Sequence, residues 1–198
     1  YELEKIRSFV ETMFVKKPVN DFDFKQVVFQ VEDGHAEAAA LFDKYHYKGL
    51  IGRIGTIYGA RLDGQLIAAC IIGSPTRNVP GGELLRFVIH PLYQKKNFAS
   101  WFLSRCSNKA LEKYPFLFTF ADPNFNHDGT IYLAANWVFV GEAKRDYWYV
   151  SDSGWIMHKK TLWNRAVNMS MKEIEYANIF GYSKVWGLPK KKYEYRTI

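Results

Sequence analysis

The sequence predicts a mixed α+β or α/β fold in which helices flank a sheet of parallel and antiparallel strands. Short runs of β-branched and aromatic residues alternate with segments of helical spacing. The dipeptide Asp63-Gly64 separates two apolar runs, which is the pattern of a tight hairpin. In addition, 48% of the 198 residues are hydrophobic, enough for a sizeable core. Because helical crossovers join parallel neighbours and tight turns join antiparallel ones, one sheet with both pairings is expected.

The elements of the first half follow from residue type and spacing. Apolar residues at helical intervals predict a short amphipathic helix before Pro18, and strong helix formers predict a second helix after Gly34. The two central positions of the hairpin turn need positive φ, which Asp and Gly tolerate. In order, the predicted elements are a helix over Tyr1–Phe14, a strand over Phe24–Val31, a helix over His35–Tyr45, a hairpin of Thr56–Leu62 with Gln65–Gly73, and a strand over Leu84–Ile89.

The second half continues this alternation and then changes character. The predicted elements are a helix over Ala99–Lys113, a strand over Phe116–Ala121, a helix over Gly129–Asn136, a closing hairpin of Val138–Glu142 with Tyr147–Val150, and a helix over Ser170–Phe180. A basic, aromatic tail follows Gly181. We therefore predict a core over residues 1–150 and a C-terminal extension, packed on that core, over residues 151–198.

The net charge of +7 lies mainly in the C-terminal third and indicates an anionic partner, either nucleic acid or a polyphosphate cofactor. Cys70 and Cys106 lie in apolar segments, as expected for core residues in a reducing compartment. No apolar run reaches the roughly 20 residues of a membrane span, and no signal-peptide pattern is seen. We expect a cytoplasmic protein with no membrane partner.

One segment has the composition of a phosphate-binding turn. LLRFVIHPLYQKKNFASWFL, from Leu84 to Leu103, is typical of a strand, a short loop and a helix. The first turn of such a helix offers unpaired N–H groups and a favourable dipole to a pyrophosphate, and the two lysines of the loop add positive charge. Asn97 stands where the loop needs positive φ, which asparagine tolerates best after glycine. An ordinary loop with solvated lysines is the alternative.

The element order and two local patterns resemble the GNAT acyltransferase superfamily, so the mixed sheet is expected to be GNAT-like. The loop from Gln94 to Ala99 is similar to the Q/R-x-x-G-x-G/A acyl-CoA signature, with Asn97 in place of a glycine. IYLAANWVFVG is similar to the YxxxGF segment, with Tyr132 as its tyrosine and Asn136 for glycine. The resemblance implies acetyl-CoA as cofactor, bound by Arg86, Phe87, Val88, Gln94, Lys95, Lys96, Asn97, Phe98, Ala99 and Ser100. It also implies that Tyr132 protonates the departing thiolate; a core tyrosine is the alternative.

A wider set of residues resembles the Mom family of phage DNA-modification proteins. It comprises His46-Tyr47, Leu85-Arg86-Phe87, Asn97-Phe98-Ala99-Ser100, Ala121-Asp122, Gly129-Thr130-Ile131-Tyr132, Asn136-Trp137, Gly181-Tyr182 and Leu188-Pro189-Lys190. The order and spacing of the whole set, from about Tyr45 to Arg196, carry the resemblance. It implies a GNAT-like enzyme that converts adenine in DNA to an N6-carbamoylmethyl (acetamido) derivative, with acetyl-CoA as a precursor, in the cytoplasm of an infected bacterium.

The same resemblance implies residue roles. The expected catalytic residues are His46, Tyr47, Asp122 and Tyr132, while Arg86 and Ser100 match further functional positions. An iron centre that involves His46 and Asp122 is implied as well. From the residues alone, His46 can equally be a capping group, Asp122 can cap the turn at Pro123, and Arg86 can form a structural ion pair.

An enzyme that acts on adenine N6 must extrude the base from the stack or use unpaired DNA. The C-terminal third interleaves aromatic residues, which can stack on bases, with basic residues, which can hold phosphates. The aromatic residues are Tyr147, Trp148, Tyr149, Trp155, Trp163 and Trp186. The basic residues predicted to bind DNA are Lys159, Lys160, Arg165, Lys190, Lys191, Lys192 and Arg196. Core aromatics and solvated lysines are the alternative.

Two other functions remain open on the sequence alone. A GNAT N-acetyltransferase that acts on an amine, an aminoacyl group or a protein lysine keeps the acetyl-CoA site but leaves the basic tail unexplained. A non-catalytic GNAT fold that binds nucleic acid is favoured by Asn97 and Asn136 in place of glycines. Acetyl-CoA binding separates this last function from both enzymes, and DNA binding separates the two enzymes.

Overall fold

The protein is described by a computed structural model that covers residues 19–46, 49, 55–75 and 79–196. Its strands are β1 (Val28–Val31), β2 (Thr56–Leu62), β3 (Gln65–Gly73), β4 (Gly82–Ile89), β5 (Leu117–Ala121), β6 (Val138–Glu142), β7 (Tyr147–Ser151), β8 (Ile156–His158), β9 (Tyr182–Trp186) and β10 (Lys191–Tyr195). Its helices are α1 (Ala36–Tyr45), α2 (Phe98–Ala110), α3 (Thr130–Ala134), α4 (Lys159–Asn168) and α5 (Glu173–Ile179). Among these helices, none has the length and apolar character needed to cross a membrane. The predicted helix over Tyr1–Phe14 lies outside the described residues.

Seven strands form one mixed sheet in the order β1-β2-β3-β4-β5-β10-β6. β2 and β3 pair antiparallel across the turn at Asp63 (φ 49°) and Gly64 (φ 81°), so the predicted hairpin is confirmed. β4 pairs antiparallel with β3 and parallel with β5. The mixed pairing confirms the predicted fold class.

The chain divides into two compact units that interleave along the sequence. The first unit comprises residues 1–119, 130–139 and 193–198, and the second comprises residues 120–129 and 140–192. A single boundary at residue 150 stays a prediction, and the chain passes between the two compact units several times. The last residues of the chain belong to the first unit, although their composition is that of the basic tail.

The core of the first unit holds helices on both faces of the sheet. One buried cluster joins α1 to β2, β3 and β4, and consists of Ala38, Leu41, Phe42, Ile57, Leu66, Ala69, Ile71 and Val88. Successive residues of a strand point to opposite faces. Val88 therefore faces α1, while its neighbour Phe87 packs on Phe102 of α2 with ring centroids 5.6 Å apart.

The second unit contains a three-stranded antiparallel sheet, β8-β7-β9, with α4 and α5. Its buried cluster consists of Tyr149, Met157, Leu162, Ala166, Tyr176 and Ala177. α5 is shorter than the helix predicted over Ser170–Phe180 because Ser170 has positive φ (55°), which a helix interior does not allow. The aromatic and apolar residues of this region thus form a core of their own.

The strand predicted over Phe24–Val31 is wrong in its first half. The Asp23 side chain accepts a hydrogen bond from the Lys25 N–H at 3.0 Å, and the Gln26 side chain accepts one from the Asp23 N–H at 3.2 Å. These two bonds close a capping box around a 3-10 turn at Phe24–Gln26. Because local side-chain bonds satisfy the backbone there, the strand begins later, at Val28.

The predicted closing hairpin of β6 with β7 is also wrong. β6 lies beside β10 in the large sheet, while β7 pairs with β8 and β9 in the small sheet. The segment that connects β6 to β7 forms no hairpin turn. Instead, the Ala143 N–H donates to the Lys190 carbonyl at 2.8 Å, and the Asp146 carbonyl accepts from the Gly187 N–H at 2.9 Å. Pairing with the C-terminal segment therefore replaces the local hairpin.

Candidate functional site

Strands β4 and β5 form a fork in the first unit. They pair at two positions in the described chain, the second being Glu83 with Phe118. One residue further along β5, the Thr119 hydroxyl donates to the carbonyl of Leu84 at 3.2 Å. Parallel strands that separate in this way leave backbone groups on their inner edges without a strand partner, which an extended ligand can use.

Tyr132 of α3 lies at this fork. Its side chain hydrogen-bonds with Thr119, and its ring packs beside Tyr193 and Trp137 at centroid separations of 5.1 and 5.7 Å. Burial raises the pKa of Tyr132 to about 12. The phenol is therefore protonated at neutral pH. The Trp137 indole N–H donates to Ser107 of α2 at 3.1 Å, which fixes the segment that follows α3.

The loop before α2 has the backbone geometry that the sequence predicted. Asn97 is the N-cap residue with φ 67°, and Asn136 has φ 63°, so both occupy the left-handed region usual for glycine. The Trp101 N–H bonds to the Asn97 carbonyl at 3.0 Å, so the N–H groups of Ala99 and Ser100 precede the helical ladder. The Ser100 hydroxyl donates to the Asn97 carbonyl at 3.1 Å. This end of α2 has the donors and the dipole that an anion needs.

The two lysines of this loop have different environments. The Lys95 ammonium pairs with the Asp21 carboxylate and donates to the carbonyl of Phe22 at 2.6 Å. Lys96 is exposed, and within the described residues no carboxylate pairs with it. Gln94, at the start of the loop, is exposed as well. Lys96 is therefore the cation available beside the helix N-terminus, whereas Lys95 anchors the loop.

Four of the predicted cofactor residues direct their side chains into the protein. They are Arg86, Phe87, Val88 and Phe98. The Arg86 guanidinium donates to the Gly49 carbonyl at 2.9 Å and to the Leu85 carbonyl at 2.7 Å. Val88 belongs to the core cluster under α1, and Phe98 is fully buried. We therefore expect any contact of Val88 or Phe98 with a cofactor to involve backbone atoms.

The left-handed backbone at Asn97 leads to a testable prediction. Asn97→Ala places a side chain with no local hydrogen bond at φ 67°, which costs about 1 kcal/mol. We expect the melting temperature to fall by about 2–4 °C and acetyl-CoA to bind more weakly. Asn97→Gly, the matched control, relieves the strain and retains binding. Thermal unfolding and calorimetric titration with acetyl-CoA measure both effects, and equal behaviour of the two variants would contradict the argument.

His46 is the C-cap residue of α1 in the first unit. Its N–H donates to the Phe42 carbonyl at 2.9 Å, and its own carbonyl accepts from the Gly49 N–H at 2.8 Å. Its ring centroid lies 6.3 Å from that of Phe42. These backbone hydrogen bonds fix His46 at the C-terminus of α1. Its catalytic role stays a prediction, and Tyr47 lies outside the described residues.

Asp122 follows β5 in the second unit and is the most deeply buried carboxylate that the structure describes, with 2% exposure. Its Oδ1 accepts hydrogen bonds from the Asn124 N–H at 3.2 Å and from the Asn124 amide at 2.8 Å. Its Oδ2 lies 3.3 Å from the Lys190 ammonium but accepts no hydrogen bond within the described chain. A buried carboxylate oxygen without a hydrogen bond is uncommon and typical of functional sites.

The predicted iron centre is not supported by the donor set. An iron ion needs several nitrogen or oxygen ligands that converge on one point. In the described part of the chain, no group of three or more His, Cys, Asp and Glu side chains is placed to hold a metal. The Asp122 carboxylate, one of the two expected ligands, already faces a lysine ammonium. The described residues do not fit an iron centre.

The predicted DNA-binding residues fall into two groups. Lys160 and Arg165 are exposed on α4, and in the described chain neither forms an ion pair. The others have interactions that the sequence did not indicate. Lys159 pairs with Asp146 at 2.5 Å, Lys190 lies beside Asp122, Lys191 and Lys192 lie in β10, and Arg196 pairs with Glu194 at 2.9 Å.

Three contributing residues were missed or given another role. Thr119 was not singled out, because a threonine in an apolar strand has no distinctive pattern. Asn124 follows Asp122-Pro123, and a polar residue two positions after an aspartate is a recognisable turn signal. Lys190 was assigned to DNA because it stands in a run of three lysines. Its position beside Asp122 depends on a contact between distant parts of the second unit.

Comparison with known proteins places this chain among acetyltransferase-like folds. The Mom protein family model matches residues 33–197. The structure is similar to ribosomal-protein-S18-alanine N-acetyltransferase from Escherichia coli, with a TM-score of 0.54 and 8% identity over 87% of this chain and 96% of that chain. It is similar to IAA acetyltransferase from Bacillus cereus ATCC 14579, with a TM-score of 0.50 and 10% identity over 86% and 99% of the two chains. At such identities the likeness is one of fold alone. No curated protein sequence matches.

Proposed function

The chain belongs to the Mom protein family, and from that premise we propose that it transfers a group from acetyl-CoA to the N6 amine of adenine in DNA. One arrangement of the first unit carries the proposal. The left-handed residue Asn97 caps the N-terminus of α2, and the Tyr132 phenol lies at the fork of β4 and β5. These two features suit the pyrophosphate and the thioester of one extended cofactor.

Different residues of the first unit have different roles toward the cofactor. Acetyl-CoA supplies an acyl group as a thioester. The N–H groups of Ala99 and Ser100, with the Lys96 ammonium, bind its pyrophosphate. The Tyr132 phenol holds a proton for the thiolate that departs. Lys95 contributes by fixing the loop, since its ammonium is engaged by Asp21.

The second unit supports the choice of DNA as acceptor. Three of its tryptophans are about half exposed, Trp155 at 44%, Trp163 at 50% and Trp186 at 51%, so their faces are available to unpaired bases. Lys160 and Arg165 are exposed beside Trp163 in the sequence of α4 and can hold phosphates. Exposed aromatic and basic side chains of this kind fit single-stranded or extruded nucleotides.

The chemistry at N6 requires a base, because the lone pair of that amine is delocalised into the ring. We assign this role to Asp122, whose Oδ2 accepts no hydrogen bond in the described chain. Attack of N6 on the thioester forms a C–N bond, breaks the C–S bond, and yields N6-acetyladenine and the free thiol. This step does not lead to the carbamoylmethyl product implied by the family resemblance, because in that product N6 is bonded to a CH2 carbon and not to the acyl carbonyl carbon. Forming it would need a different bond-forming step, with an oxidant and a nitrogen donor.

Mass spectrometry of nucleosides tests this function. DNA is taken from cells that express the protein, from cells with an empty vector, and from cells that express Asp122→Asn. We expect a modified deoxyadenosine only with the active protein, and its mass separates an acetyl from a carbamoylmethyl group. Unmodified deoxyadenosine despite abundant folded protein contradicts the proposal and leaves acetylation of an amine or protein substrate as the better account.

The surface of α4 provides a separate prediction about DNA binding. Replacing Lys160 and Arg165 together by glutamine should lower the slope of log affinity against log salt by roughly 1.4, because each phosphate contact with a single strand contributes about 0.7. Lys159→Gln is the matched control, since the Lys159 ammonium already pairs with Asp146. Fluorescence anisotropy with single-stranded DNA at several salt concentrations measures the slopes. Equal slopes for the double variant and the control would remove α4 from the DNA interface.

A further inference from the structure

Lys190 occupies an unusual position for a member of a lysine run. Its ammonium lies 3.3 Å from Oδ2 of Asp122, with the two side chains 28% and 3% exposed. Both residues belong to the second unit. Within the described chain, Lys190 is the one cationic side chain at ion-pairing distance from this carboxylate. Its charge is therefore directed at Asp122, and a phosphate contact from the same ammonium would have to break that pair.

The backbone that carries Lys190 is held on both sides of the ion pair. Leu188 donates its N–H to the Asn124 side chain at 2.8 Å, and the Asn124 amide donates to the Leu188 carbonyl at 3.2 Å. The same amide nitrogen donates to Oδ1 of Asp122 at 2.8 Å. On the other side, the Lys190 carbonyl accepts from the Ala143 N–H at 2.8 Å. Asn124 thus connects the carboxylate directly to the segment that supplies its counter-ion.

Gly187 shows how closely this segment approaches its neighbours. A Cβ atom at Gly187 would lie 2.3 Å from the ring of Trp148 and 3.0 Å from the Asn124 side-chain oxygen. The Gly187 carbonyl accepts from Arg145 at 2.9 Å, and Pro189 restricts the backbone before Lys190. A free, solvated tail has no need of such constraints. They fix where the Lys190 ammonium lies.

The position of the Lys190 ammonium is explained by the buried negative charge of Asp122. A buried carboxylate without a counter-charge is strongly unfavourable, so Asp122 needs a cation to remain in place. Lys190 supplies that charge, yet Oδ2 accepts no hydrogen bond in the described chain. The ammonium therefore compensates the buried charge and leaves a lone pair of Oδ2 for another partner. Asn124 holds the opposite oxygen and so orients the carboxylate.

We infer that Lys190 is a positioning residue that holds the Asp122 carboxylate in its reactive orientation, and that the segment Gly187–Lys190 serves the site and not the DNA backbone. This inference rests on the proposed function in one respect, which is that Asp122 acts as the base. The ion pair itself does not depend on any activity.

The test compares Lys190→Met, Lys190→Arg and the matched control Lys144→Met in the full chain, since Lys144 is an exposed lysine of the same unit. We expect Lys190→Met to lower kcat for DNA modification roughly a hundredfold, because a displaced catalytic group costs about that much, with the DNA dissociation constant and its salt slope unchanged. Lys190→Arg should restore most of the rate. Lys144→Met should leave kcat unchanged. A salt slope reduced by about 1 in Lys190→Met, with kcat retained, would instead identify a phosphate contact and overturn the inference.

A double-mutant cycle in thermal unfolding tests the ion pair without any assay of activity. Lys190→Met leaves a buried uncompensated charge and should lower the melting temperature by on the order of 10 °C. Adding Asp122→Asn should recover most of that loss, which is strong non-additivity. Additive losses would refute the pairing. If the wild type modifies no DNA, the proposed function fails, while this cycle still decides whether Lys190 holds Asp122.

Discussion

Asp122→Asn is expected to lower the rate of DNA modification by roughly 10²–10⁴-fold while the protein remains folded. The asparagine oxygen can still accept the hydrogen bonds that Asn124 gives to Oδ1 at 3.2 and 2.8 Å. It cannot take a proton, and the site loses its base. The Lys190 ammonium, which is 28% exposed, keeps access to water when its partner becomes neutral. The initial rate of modified deoxyadenosine formation, with melting temperatures alongside, measures the effect.

Asp146→Asn provides the matched control for that experiment. Asp146 also belongs to the second unit and also pairs with a lysine, at 2.5 Å from Lys159. The same chemical change therefore breaks a comparable ion pair away from the proposed base. We expect Asp146→Asn to retain its rate within about twofold, since exposed or half-exposed pairs contribute little. Equal rates for Asp122→Asn and the wild type would remove Asp122 from the mechanism.

The sequence predicted most accurately the features that local chemistry determines. The turn at Asp63-Gly64 and the helix after His35 depend on a few adjacent residues, and the structure has both. The left-handed backbone at Asn97 and Asn136 follows from the same reasoning, because asparagine adopts that region more readily than other residues with a side chain. These predictions needed only the residues within one turn and were confirmed, whereas the capping box from Asp23 to Gln26 is just as local and was missed.

The sequence failed where distant segments compete for the same backbone groups. Val138–Glu142 and Tyr147–Val150 have the alternation of a hairpin, but β10 takes the position beside β6. Nothing local indicates that Lys191–Tyr195 forms a strand, since its charges are typical of a solvated tail. The pairing of Lys190 with Asp122 has the same origin. A contact across nearly seventy residues is set by the topology and has no signature in either segment.

Tyr132→Phe is the second substitution with a large expected effect. The change removes the phenol O–H at the fork of β4 and β5 and keeps the ring against Tyr193 and Trp137. If the phenol protonates the departing thiolate, kcat should fall by roughly 10²–10⁴-fold with the affinity for acetyl-CoA unchanged. Release of the CoA thiol, followed with a thiol reagent in the presence of DNA, measures kcat. Titration with acetyl-CoA measures affinity.

The pH dependence and a matched variant separate this role from packing. Burial raises the pKa of Tyr132 to about 12, so its proton is present below that pH and lost above it. A loss of rate that depends on Tyr132 should therefore occur near pH 12 and not near the ordinary value of about 10. Tyr195→Phe is the control, because its hydroxyl donates to Asn108 at 2.7 Å within the same aromatic cluster. If Tyr132→Phe and Tyr195→Phe have the same kcat, the thiolate takes its proton from another group. Tyr132 then contributes to the site only by packing at the fork of β4 and β5.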